Sequence, residues 1–279
     1  MPPTLALTPE PSLADARAQA RRDLAACHRL AARHGMTDLI YTHISVRVPG
    51  EPEQFYINPF GLLFEEVDAD TLVTVAPDGT VLDDPTGLGI NRAGFVIHSA
   101  LHQAREDIAC VMHTHTLAGV AVSSLRDGLQ PYTQHAARFH RRLGYHDYEG
   151  VAVDLDERAR LVRDLGPHHA LVLRNHGLLT CGQSVGQAFE RMYFLEFACQ
   201  AQLRIQATGQ PVAAPDPDAL ERAAAVFERP DGRAGKLAWA ALLRDLDRHD
   251  PSYRGRAAAA SSFNRSAKPI PSLSPVESS

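Results

Sequence analysis

Apolar positions recur near helical spacing at Leu13, Leu24, Cys27, Leu30 and Ala31, the pattern of a helix that buries one face. Ser12 with Asp15 reads as an N-cap and its box partner, and Gly35 suits the residue just past a C-cap. The spacing therefore predicts a helix from 13 to 34. Short β-like runs follow at Ile44–Val48, Phe55–Ile57 and Leu72–Ala76, with turns at Gly50, Pro59-Phe60-Gly61 and Asp78-Gly79. Asn91–Arg105 reads as helix, and Ala109-Cys-Val-Met-His-Thr-His115 as an apolar strand ending in two histidines. A short helix, a loop and a strand at Val151–Val153 come next. Glu157–Leu165 then reads as helix, Ala170–Arg174 as a buried strand, and Ser184–Ala207 as a long helix with Phe189, Met192, Phe194, Leu195 and Cys199 inside. The irregular alternation of helices and strands predicts a three-layer α/β/α sandwich around a mixed sheet.

The character of the chain changes at both ends. Residues 1–12 are Pro-rich and read as a flexible segment, and 13–210 as the main domain. Pro215–Arg229 and Gly235–Arg248 read as two modest helices, making 211–250 a helical extension. From Pro251 to Ser279 the chain is rich in Pro, Ser and Ala and reads as a disordered tail. No internal repeat is evident.

Composition narrows the function classes. The 279 residues carry 28 Lys plus Arg and 33 Asp plus Glu, a formal charge of −5. That balance offers no electrostatic footprint for nucleic acid or an anionic membrane. No apolar run reaches the roughly 20 residues of a membrane span, and no signal peptide is visible at the N-terminus. The four cysteines, at 27, 110, 181 and 199, are scattered without a CxxC pair, which fits a cytoplasmic protein rather than a disulfide scaffold or zinc ribbon.

The histidines carry the candidate chemistry. His113 and His115 are two apart on a predicted strand, so they share a face about 6 to 7 Å apart. That separation suits two imidazoles converging on one cation. His176 ends a second apolar strand, Ala170-Leu-Val-Leu173, and is followed by Gly177. A third imidazole from a neighbouring strand completes a three-histidine site of the kind zinc, iron(II), manganese or cobalt accepts. His98 and His102 are four apart on a predicted helix, but Ile97 and Leu101 imply that this helix packs on the sheet, so they are read as packing residues. His168-His169 follows Pro167 in a turn and is read as solvated. Arg174 shares strand parity with His176 and is a candidate for holding a carboxylate.

Several stretches together resemble the class II aldolase/adducin superfamily, in its adducin-like bacterial branch, over roughly residues 15 to 210. They are Thr42-His-Ile-Ser-Val-Arg47, Ile57-Asn-Pro-Phe-Gly-Leu62, Phe95-Val-Ile-His-Ser-Ala-Leu-His102, His113-Thr-His115, Tyr145-His-Asp-Tyr148 and Arg174-Asn-His-Gly-Leu178. The resemblance implies the same sandwich, a homotetramer with sites between subunits, and one divalent metal per subunit, usually zinc, with iron(II) or manganese as alternatives. Its ligand positions fall on His113, His115 and His176. It also places His43, Asn58, Gly61 and Arg92 at substrate-binding loops. His135 lies near a proton donor supplied by the neighbouring subunit, which makes it a candidate general acid/base. Tyr145 and Tyr148 are expected to pack and hydrogen-bond, and Arg47 to be structural.

The departures from that pattern bear on the substrate. The sugar-phosphate aldolases carry a glutamate about 19 residues before the first ligand histidine, where this chain has Gly94. Their Gly-Asn-Ile-Ser, Thr-Pro-Ser-Gly and Ser-Ser-Glu elements read Thr42-His-Ile-Ser45, Asn58-Pro-Phe-Gly61 and Arg92-Ala-Gly94 here. These changes argue against a phosphorylated sugar. The expectation is a metal-dependent lyase, cleaving or decarboxylating a small hydroxy- or oxo-carboxylate through a metal-stabilised enolate. The alternatives are a mononuclear non-haem iron oxygenase and a non-catalytic assembly protein of the adducin type.

Overall fold

Strand parity sorts the central residues onto two faces, and the helices cover both. The computed structural model describes residues 12–150, 156–228 and 233–255. Its strands are β1 His43–Val48, β2 Glu51–Ile57, β3 Val73–Val75, β4 Val81–Asp83, β5 Cys110–Thr114, β6 Gly144–His146, β7 Ala170–Leu173 and β8 Gly177–Gly182. They form one sheet in the order β4-β3-β2-β1-β5-β8-β7-β6. The β6/β7 pair is parallel and the others antiparallel, so the sheet is mixed as expected.

The helices are α1 Leu13–Arg33, α2 Arg92–Ala104, α3 Leu117–Ser123, α4 Gln134–Ala137, α5 Glu157–Leu165, α6 Val185–Ala207, α7 Pro217–Phe227 and α8 Arg233–His249. Ile44, Val46, Met112 and Val172 pack on one side against Leu24, Cys27 and Leu30 of α1 and Phe189, Met192 and Leu195 of α6. Val111, Leu171, Leu179 and Cys181 pack on the other against Ile97 and Leu101 of α2 and Leu161 and Leu165 of α5. Each such buried aliphatic side chain contributes roughly 1.5–3 kcal/mol, so the two apolar faces hold the three layers together.

Local chemistry starts the helices where the pattern predicts. The Ser12 hydroxyl accepts from the Asp15 N–H and donates to its carboxylate. Ser184, Thr116 and Asp216 cap α6, α3 and α7, each side-chain oxygen accepting from the N–H three residues on, a cap worth about 1 kcal/mol. Three strands escape the sequence pattern. β8, Gly-Leu-Leu-Thr-Cys-Gly, is buried at every position, so it shows no alternation. β4 is wholly exposed, and β6 has only three residues.

The C-terminal expectation needs correction. Residues Pro251–Arg254 form a 3-10 turn, and Tyr253 is only 2% exposed. The Tyr253 carbonyl accepts from Ala69 N–H at 2.9 Å, and its hydroxyl donates to Asp247 at 2.8 Å. One apolar ring and its hydrogen bonds thus hold a Pro/Ser-rich segment against α1 and α8. α8 returns to the main domain, where Trp239 lies against Gly186 and donates to Asp23. The Pro-rich residues 1–11, the strand expected at Val151–Val153 and the tail from 256 lie outside the described residues.

Candidate metal centre

The end of β5 and the turn between β7 and β8 meet at one point. β5 pairs with β8 so that His113 lies opposite Leu179, and Thr114 opposite Leu178. After Leu173 the chain turns at Asn175, whose φ of 56° lies in the left-handed region, and this returns His176 toward the end of β5. The Nε2 atoms of His113 and His115 are 2.8 Å apart, and those of His115 and His176 are 2.9 Å apart. One ligand atom from each of the three lies within 4.8 Å of the other two.

The second nitrogens decide what this cluster is. His113 Nδ1–H donates to the Leu178 carbonyl at 2.9 Å. His115 Nδ1–H donates to the Asp38 carboxylate at 2.9 Å. A neutral imidazole has one N–H, so both rings turn a bare Nε2 lone pair toward the other. Two lone pairs at 2.8 Å repel unless a cation lies between them. Burial pushes the His113 imidazole well below its ordinary range and brings His176 down to about 4, with the neighbouring histidines adding to the effect. His113 and His176 therefore do not serve as the cation. An ion bonded tetrahedrally at roughly 2.0–2.1 Å sets two nitrogens about 3.3 Å apart, about half an ångström wider than the spacing found. The donor set fits one divalent metal, with a carboxylate and a carbonyl orienting two of its ligands.

A second set of histidines adjoins the first. His43 is opposite His113 in the β1/β5 register, and their ring centroids are 5.1 Å apart. Its Nδ1 is 2.8 Å from His98 Nε2, and Ser45 Oγ lies 2.6 Å from His98 Nδ1 and 2.8 Å from His102 Nε2. His98 and His102 thus pack on the sheet as the helical spacing implies, but as a hydrogen-bonded row. Gly94 explains how His43 fits: a Cβ built there would lie 2.3 Å from His43 Cδ2 and 2.4 Å from Nε2. The imidazole at 43 fills the space that a side chain at 94 would need. The histidine at 43 and the glycine at 94, two separate departures in sequence, are one steric change.

The remaining candidates fall elsewhere. Asn58 is buried, accepting from Ile44 N–H at 3.2 Å and donating to the Thr42 carbonyl at 3.3 Å, so it braces the loop that carries His43. Gly61, at φ 124°, is exposed beside Leu88. Arg92 is exposed at the first position of α2. Strand parity fails for Arg174, because β7 ends at Leu173 and the turn intervenes. Its guanidinium donates to the Leu125 and Arg126 carbonyls, although Arg174 and His176 both line an open recess with His146, Tyr148 and Glu157. His135 stacks on Phe194 and lies tilted against Phe197 of α6, at centroid distances of 5.6 and 4.2 Å. Arg47 is structural as expected, donating to the carbonyls of His102, Arg105 and Ile108. Tyr145 accepts from Leu129 N–H, and Tyr148 is exposed. His169 is half-buried and paired with Asp107 rather than solvated.

Sequence reasoning did not find Asp38, Ser45 or the row that joins His98 to His43. Asp38 lies 77 positions before the histidine it orients, and no local pattern connects the two.

Comparison with known proteins identifies the family and the fold. The family described as class II aldolase and adducin N-terminal domain matches residues 22–203. A Pseudomonas aeruginosa protein carrying the provisional name aldolase class 2 protein is 49% identical over 240 residues, covering 85% of this chain and 92% of that one. Rat alpha-adducin is 46% identical over 190 residues, which span 67% of this chain but 26% of the adducin. Among solved structures, an aldolase II superfamily protein from Pseudomonas syringae superposes with a TM-score of 0.82 at 49% identity, covering 86% of this chain and 96% of the other. An L-fuculose 1-phosphate aldolase from Glaciozyma antarctica gives 0.79 at 28% identity, covering 92% and 97%.

Proposed function

The chain belongs to the class II aldolase and adducin family, and from that premise we propose that it is a metal-dependent carbon–carbon lyase acting on a small, non-phosphorylated hydroxy- or oxo-carboxylate. The observation that carries this reading is the pair of bare Nε2 lone pairs on His113 and His115, 2.8 Å apart, with His176 Nε2 2.9 Å from the second. Imidazole ligands bring no charge to a metal, so three of them leave a dipositive charge uncompensated. When bound, the ion, zinc in this proposal, supplies Lewis acidity for a carbonyl or enolate oxygen.

The protein's own groups favour an anionic substrate. Gly94, in the first turn of α2, lies against the His43 ring, so the positive end of that helix dipole is on the His43 side of the centre. The helix has no acidic residue in its first turn and begins with Arg92, a cation where the dipole disfavours one. That placement suits a carboxylate. With a histidine at 43 and no side chain at 94, the site offers neither the amide nor the carboxylate of the sugar-phosphate pattern.

The assembly is part of the same proposal. In a homotetramer, His135 acts as general acid/base on the site of a neighbouring subunit, beside the exposed ring of Phe197. Four free, buried cysteines suit a cytoplasmic protein, and no described helix is long and apolar enough to cross a membrane.

The test is metal content of protein purified without chelators, followed by a panel of oxo and hydroxy acids assayed for CO₂ or aldehyde release. One equivalent of metal with turnover supports the lyase. Stoichiometric metal with no turnover across the panel favours a non-catalytic assembly protein, the reading that the identity to alpha-adducin supports. Bound iron with oxygen consumption points to an oxygenase.

A further inference from the structure

His43, Ser45 and Arg47 alternate on β1 and so share the face that α2 covers, while His98 and His102 stand one turn apart on α2. Along this seam the contact is polar. His43, Ser45, His98 and His102 are each 4% exposed or less. The row runs His43 Nδ1, His98 Nε2 at 2.8 Å, His98 Nδ1, Ser45 Oγ at 2.6 Å, His102 Nε2 at 2.8 Å. Burial keeps His98 and His102 neutral at physiological pH.

Such a row has two self-consistent polarities. In one, every proton points toward His102, whose Nδ1–H is then left over. In the other, every proton points toward His43, and His102 Nδ1 is a bare lone pair. His102 Nδ1 is buried and makes no hydrogen bond of ordinary geometry, and the Ile108 carbonyl near its ring already accepts from Arg47 at 3.0 Å, so the two differ in which kind of orphan they leave. An orphaned buried N–H is the rarer and costlier kind. Arg47 decides in the same direction. Its guanidinium donates to the His102 carbonyl at 2.7 Å, and its Nε–H, a donor at every relevant pH, is also buried without a partner. A lone pair on His102 complements that cation, and another N–H does not.

We propose that Ser45, His98 and His102 are positioning residues that lock His43 in its Nε2–H tautomer, making it a fixed hydrogen-bond donor to an oxygen of the metal-bound substrate. The proton order follows: His102 Nε2–H donates to Ser45 Oγ, Ser45 Oγ–H to His98 Nδ1, and His98 Nε2–H to His43 Nδ1. The one proton of His43 is then on Nε2, the atom lying against Gly94, in a ring whose centroid is 5.1 Å from that of His113. No proton is gained or lost along the row. The donor role rests on the lyase reading, but the tautomer does not.

The experiment is long-range nitrogen–proton NMR on zinc-loaded protein with labelled histidine rings, together with titration by oxalate, a chelating dicarboxylate. All three seam histidines are expected as Nε2–H tautomers in the wild-type protein. Ser45→Ala should leave His43 as a tautomer mixture and weaken oxalate three- to tenfold at unchanged zinc stoichiometry, and Ser45→Thr should restore both. A proton on His43 Nδ1 in the wild type overturns the assigned polarity, and this measurement needs no variant to fold. A fixed Nε2–H with unchanged oxalate affinity in Ser45→Ala overturns the donor role. Failure of oxalate to bind the wild-type zinc protein counts against the carboxylate substrate, while the tautomers still decide the row.

Discussion

The two buried histidine groups use the same side chain to opposite ends. In the triad, His113 and His115 direct Nδ1 outward, to the Leu178 carbonyl and the Asp38 carboxylate, and hold Nε2 bare. In the seam, both nitrogens of His98 are bonded within the row, to His43 and Ser45. The triad converges its lone pairs and so wants a cation. The seam passes donors along a line and so needs none. The ring is the same in both groups, and the partner of its second nitrogen decides which job it does.

The sharpest break of this contrast is removal of a converging nitrogen. His113→Ala or His176→Ala should reduce bound metal from one equivalent to a trace in elemental analysis, with the circular dichroism spectrum retained. Stoichiometric metal in both variants would reject the ligand assignment. His98→Gln, in the seam, should keep its metal.

A test of burial comes next in size. His28 is fully buried, its Nδ1–H donates to the Leu24 carbonyl, and desolvation brings its pKa down to about 4. The unfolded chain binds that proton near pH 6.5 and the folded chain does not until about 4. Stability is therefore intact above 6.5 and falls as pH drops through this window. This one ring accounts for roughly 3 kcal/mol by pH 4, read from urea midpoints across the range. A His28→Gln variant should show a shallower fall.

The steric link between the two groups gives a smaller effect. Gly94→Ala places a Cβ 2.3 Å from the His43 ring and should destabilise by about 2 kcal/mol through overpacking. In a double-mutant cycle, His43→Ala should remove most of that loss, because the space is then free. Additive losses would show that the two positions are independent. Smallest is Asp38→Asn, which keeps the fold and loosens His115. Because Asp38 is 43% exposed, metal affinity should weaken near tenfold, the lower end of the range for such partners, as measured by chelator competition.

Much of this site was legible in the chain because its ligands lie at the ends of strongly apolar strands. The spacing of His113 and His115 on a strand implies a shared face, and Leu171-Val-Leu173 before His176 marks a second buried strand. The seam was half legible: the four-residue spacing of His98 and His102 told that they pack, not on what. For Arg174 the parity argument does not hold, because β7 ends at Leu173 and Asn175 turns the chain, yet its side chain shares a recess with His176. The turn at Tyr253 was misread because one buried ring outweighs a disordered-looking composition.

Local periodicity determined the helices, most strands and the two apolar faces, since backbone geometry imposes 3.6- and 2-residue repeats on any chain that buries one side. Register across the sheet decided the rest. It placed His43 opposite His113 and β8 beside β5 so that the Leu178 carbonyl meets His113. It also left room at Gly94 for an imidazole. Those pairings join residues dozens of positions apart, and the tautomer of a ring depends on which atom it meets there, so only the folded chain could settle them.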